Sequence, residues 1–130
     1  MSIKYNLKIG DYILCDPAII VKKSKDGDIW IKKLWELFYK DMNHFHDIYL
    51  DSIHLYITRT AEGDGFFKEV GTDTGTLAIF EIETILNDDR FHDPYDRKGA
   101  KVFHAEEGFY VEVKGFNIYL SDGYEVITSD

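Results

Sequence analysis

Hydrophobic and polar positions repeat with two different periods along this chain, and the change of period marks out its parts. Ile31, Leu34, Trp35, Phe38 and Met42 recur at helical spacing, while Lys32, Lys33, Glu36 and Lys40 fall mostly on the other side. This predicts one amphipathic helix near residues 28–42, with Asp26 or Asp28 capping its start. From Ile48 to Thr60 the period becomes two: Ile53, Leu55 and Ile57 point one way, and His54, Tyr56 and Thr58 the other, as in a strand. Asp11–Cys15 and Ala18–Val21 read as one strand broken at Asp16–Pro17, because proline removes a ladder donor and restricts the residue before it. Phe66–Val70 and Thr76–Ile85 add two strands, and residues 87–99 read as an exposed loop.

The last third reads as a meander of Lys101–Ala105, Phe109–Lys114, Phe116–Leu120 and Tyr124–Thr128. Turns with glycine separate these strands at Glu106–Gly108 and Ser121–Gly123, while Gly115 alone suggests a turn, a bulge or a bend. Together these elements predict an α+β fold in one domain over residues 1–130. It is mainly antiparallel, a sheet or partly open barrel, with the helix covering one face.

Composition supports an ordered core: 45% of the 130 residues are hydrophobic and 15% aromatic, enough bulky material to offset the entropy of ordering. The net charge of −9, with the acids crowded into residues 61–130, disfavours nucleic acid, whose phosphates demand clustered cations. A single cysteine, Cys15, cannot form an internal disulfide and reads as a small buried hydrophobe. No run approaches the length of a membrane span and no signal segment opens the chain, so no membrane association and a cytoplasmic location are the expectations.

Four groups of residues carry candidate chemistry. Asp16, Asp64 and Asp73 each stand in a turn where a strand ends; if those ends meet, three carboxylates could hold a divalent cation. Ordinary turn chemistry also explains them. His44 and His46, two apart, could share a metal if they lie on one strand face, with His54, His92 or His104 as third ligand; the bland alternative is a polar connection. Arg90, His92, Asp93, Tyr95, Asp96 and Arg97 place acids, bases and aromatics on one loop, a pattern open to acid–base chemistry and equally to a solvated surface. Lys22, Lys23, Lys25, Lys32 and Lys33 form a basic run without any glycine-rich phosphate cradle.

Three segments carry a resemblance. Gly10 to Pro17 (GDYILCDP), Glu62 to Phe67 (EGDGFF) and Val70 to Ile79 (VGTDTGTLAI) resemble, in order and rough spacing, motifs of small uncharacterised proteins from bacteria and their phages. Ala18 stands where an aromatic or cysteine-containing continuation is common, and Thr74 where serine is usual. The resemblance implies a compact β-rich fold and carries over no catalytic residue. The reading that follows is a small acidic binding protein without enzymatic activity, meeting a protein partner or a second copy through an exposed strand edge. Tyr110, Tyr119 and Tyr124 are candidate contact residues. No cofactor is expected. The alternative is a metal-dependent hydrolase or cation-binding domain using Asp16, Asp64 and Asp73 and a divalent cation.

Overall fold

A computed structural model describes residues 2–128. The chain runs β1 (Ser2–Asn6), β2 (Gly10–Cys15), α1 (Pro17–Ile20), α2 (Lys25–Phe38), β3 (His46–Leu50), β4 (Ile53–Arg59), β5 (Gly65–Phe67), β6 (Val70–Thr72), β7 (Thr76–Glu81), β8 (Lys101–Ala105), β9 (Tyr110–Lys114), β10 (Asn117–Leu120) and β11 (Glu125–Val126). It is the expected α+β arrangement, built on open antiparallel sheets rather than a barrel. A five-stranded sheet in the order β3-β4-β7-β2-β8 lies beside a four-stranded sheet in the order β1-β9-β10-β11, and β5 and β6 form a separate ribbon.

The five-stranded sheet is covered on both sides, which explains why every residue of β7 and all of β4 but Arg59 are buried. One face, with Ile13, Ile53, Leu55, Ile57 and Phe80, packs against Trp30, Leu34 and Phe38 of α2. The other, with Tyr12, Leu14, Tyr56, Leu77 and Ile79, packs against Val111, Val113, Ile118 and Leu120 of the second sheet. Each fully buried large side chain contributes about 1.5–3 kcal/mol. The two faces of β4 that the alternating pattern distinguishes are therefore both interior.

Local chemistry sets where elements begin and end. The helix α2 starts earlier than its apolar stripe suggests: Ser24, not Asp26 or Asp28, caps it by accepting from the Gly27 amide at 3.0 Å, and the two aspartates fill the first turn, where the helix dipole favours them. Gly27 is required there, because a Cβ would stand 2.1 Å from the Lys22 carbonyl oxygen. Ala18–Val21 is not a strand. Pro17 occupies the first helical position and the Asp16 side chain caps the short α1, so the feature expected to break a strand starts a helix.

The expected long strand from Ile48 is a hairpin instead. Asp51 and Ser52 both take positive φ, 50° and 70°, in the two-residue turn whose twist suits paired strands. Phe66–Val70 likewise splits into β5 and β6 around Lys68, and β7 ends at Glu81, where residues 82–84 form a 3-10 turn. Gly115 and Phe116, at φ 60° and 98°, form a two-residue turn between β9 and β10 rather than a bulge. The left-handed backbone of Phe116 is strained, and the Arg59 guanidinium stacked 4.1 Å from its ring helps to hold it. Among the described residues no helix is long and apolar enough to cross a membrane.

Candidate functional site

A row of polar and aromatic side chains runs across the five-stranded sheet. β3 and β4 pair Tyr49 with His54, and β2 and β7 pair Tyr12 with Glu81. One step beyond the last β4–β7 pair, Leu55 with Phe80, His54 comes beside Glu81. The buried His54 ring bonds Glu81 through Nδ1 at 2.8 Å and Asp47 through Nε2 at 2.6 Å. Glu81 also receives Lys8 Nζ at 2.9 Å. The ring of Tyr49 lies flat on the imidazole, 4.1 Å away with 2° between planes, and Tyr56 leans on it at 4.9 Å.

Both imidazole nitrogens are engaged by carboxylates, and the row fixes β3, β4, β7 and the β1–β2 connection against one another. Burial by itself would raise the pKa of Glu81; the hydrogen bonds and charges of His54 and Lys8 outweigh it and keep the carboxyl below its ordinary value of 4.5. Beside it, burial pushes the Tyr12 phenol up to about 12, and its hydroxyl donates to the Lys8 carbonyl at 2.7 Å.

The acidic turns singled out in the sequence do converge, in a different role. Asp16 is fully buried. Its carboxylate accepts from the amides of Ala18, Asp73 and Thr74 and from the hydroxyls of Thr72 and Thr74, at 2.8–3.2 Å. The turn holding Asp64 touches the same corner, where a Cβ on Gly75 would lie 3.5 Å from Gly63. Asp64 and Asp73 themselves are exposed. Asp73 reaches Asp16 through its amide, so these contacts are those of a tied loop, not of carboxylates aimed at one point. Among the described residues no three His, Cys, Asp or Glu side chains group as metal ligands. Within the three segments of the resemblance, then, the structure joins Asp16 to the 72–74 turn.

The other predicted residues separate. His44 turns Nδ1 to the Asp41 carboxylate, and His46 turns Nε2 to the Asp41 carbonyl at 2.5 Å. In the 90–97 loop, Arg90 bonds Asp88 and Asp51, while the Tyr95 hydroxyl donates to Asp11 at 2.6 Å. His92 is anchored by its amide to the Ile20 carbonyl, and partial burial, Arg97 and Lys22 lower its pKa. Tyr110 and Tyr119 share the outer face of the four-stranded sheet, with Lys4 and Lys114 lying over their rings. Tyr124 instead packs at the margin of the core between Lys68 and Lys101.

Sequence reasoning missed the Asp47–His54–Glu81 row and the free edge it supports. One signal was present: His54 and Glu81 are ionisable residues in otherwise apolar strands. The edge follows from the hairpin. Leu50 and Ile53 close the two-residue turn, so Ile48 and His46 also direct their backbone groups to β4, and Asp47 and Tyr49 direct theirs outward. No other segment among the described residues bonds the backbone of Asp47 or Tyr49. Tyr49 is 72% exposed above this edge. Comparison with protein-family models, with curated proteins and with solved structures finds no match to this chain.

Proposed function

We propose that this protein is a non-enzymatic interaction module that binds a protein partner by accepting an added strand along β3. The observation that carries this reading is the outward set of backbone groups at Asp47 and Tyr49, on a strand whose position is locked by the buried His54 row. An unpaired edge is a template for another chain, and folded proteins commonly blunt it with lysine, proline, a bulge or shortness. Among the described residues, the other outer strands of the two larger sheets carry such devices: β1 contains Lys4, β8 opens on Lys101 and β11 spans two residues. The sequence His46-Asp47-Ile48-Tyr49-Leu50 contains no lysine, proline or glycine. Tyr49 supplies a large ring with few rotatable bonds beside the edge, the kind of residue enriched where proteins meet.

The test places a photo-crosslinking benzoylphenylalanine at position 49, and separately at Val102 on the opposite edge, in cells that make the protein. Protein adducts at position 49 and few at 102 are expected. Adducts equally frequent at both positions, or none at 49, contradict strand addition at β3.

A further inference from the structure

Resting on that reading, we infer that the strand added to β3 is β3 of a second copy, antiparallel about a twofold axis through Ile48. Three features of the edge suit this occupant. First, the outward backbone groups are self-complementary. In the twofold register Asp47 faces the copy's Tyr49 and Tyr49 faces the copy's Asp47, and these are the residues whose N–H and C=O point away from β4. Each such pair exchanges both of its hydrogen bonds, whereas a shift of one residue would set outward groups against inward ones.

Second, the side chains meet without conflict. Ile48 faces its own copy and His46 faces Leu50, on the helix side of the sheet, where Ile48 and Leu50 already pack against the core. The contact is isologous, as closed symmetric dimers require. Third, charge permits it. Two chains of net charge −9 repel, so a seam between copies must keep acids apart. Along β3 the one carboxylate, Asp47, is held by His54 and faces a tyrosine in the copy. Asp51, at the hairpin tip, is already matched by Lys33 and Arg90. The result is one sheet continuing through both copies, with the Tyr49 rings flanking the seam.

The register also states where a bond could be forged. Across the seam the two Ile48 residues form a non-hydrogen-bonded pair, whose Cα atoms in antiparallel sheets lie about 4.5 Å apart, within disulfide reach. Purified full-length I48C protein, oxidised in dilute solution, is expected to become a covalent dimer on a non-reducing gel, while V102C on the opposite edge stays monomeric. Cys15 is buried and does not compete. In parallel, light scattering of the unaltered protein should give twice the 15.2 kDa chain mass, and I48K, which opposes two lysines, should weaken association by about tenfold or more. Circular dichroism confirms that each variant is folded. Monomeric protein at every concentration, or I48C that links no faster than V102C, overturns the second copy as occupant. If position 49 still crosslinks to a different protein in cells, strand addition stands and self-pairing alone falls; if it crosslinks to nothing, both fall.

Discussion

Two residues in this fold do work that their neighbours make plain. Asp16 is a fully buried carboxylate that ties the start of α1 to the 72–74 turn through five donors. An amide in its place would turn an NH2 group toward groups that also donate. D16N is therefore expected to lower unfolding free energy by about 3 kcal/mol, measured by urea denaturation, since each buried group left without a partner costs about 1–3 kcal/mol. Ser52 presents the opposite case. Its φ of 70° is a conformation that glycine adopts freely and serine does not. S52G is expected to stabilise the protein by up to about 1 kcal/mol, read as a higher urea midpoint at unchanged slope.

At the scale of elements, the salient unit is the β3–β4–β7 row around His54. Its pH dependence has a definite sign. Glu81 has a lower pKa folded than unfolded, so the unfolded chain binds more protons in the interval between the two values. The stability it contributes is complete above the ordinary value of 4.5 and is lost as pH falls through the folded value. Asp88, held low by the Arg90 hydrogen bonds, acts in the same direction. The melting temperature should accordingly fall below pH 4.5, and E81Q should flatten that fall while lowering the melting temperature at neutral pH, because a carboxylate that holds both His54 and Lys8 is gone.

How far these elements were legible follows from their chemistry. The alternation of β4 and the Leu34 and Phe38 positions of the helix stripe are written in side-chain periodicity, whereas α2 ends at Phe38 with Met42 exposed beyond it, and of the expected meander only β9, β10 and β11 pair in succession, β8 joining β2 in the other sheet. Two of the hidden boundaries show why the others were missed. Asp51 and Ser52 make a turn of the kind that usually announces itself with asparagine and glycine, so an unbroken strand was the natural reading. Asp16–Pro17 suits a strand break and a helix start equally, and only the amides of Ala18, Asp73 and Thr74 decide between them. The candidate site was less legible. Asp47, His54 and Glu81 belong to three strands, and their meeting depends on register, which periodicity within one strand does not specify.

For the whole molecule, burial on both faces of the five-stranded sheet leaves its edges as the places where another chain can join by backbone pairing. Of these, β3 alone has five residues and no lysine. Its free backbone groups, its exposed Tyr49 and its self-matching register make it the surface through which the protein is expected to act. Charge adds a prediction at this scale. Because each copy carries −9, screening should strengthen self-association as salt rises, the reverse of an interface held by opposite charges. Sedimentation at low and high ionic strength distinguishes the two.

The measurement closest to the central claim is residue-resolved amide hydrogen exchange at Asp47 and Tyr49 as the protein concentration is raised. Strand pairing predicts that these two outward amides, fast-exchanging in dilute solution, slow by about tenfold or more while Val102 on the opposite edge does not change. Amides at 47 and 49 that exchange equally fast at all concentrations and in the presence of cell extract would contradict it.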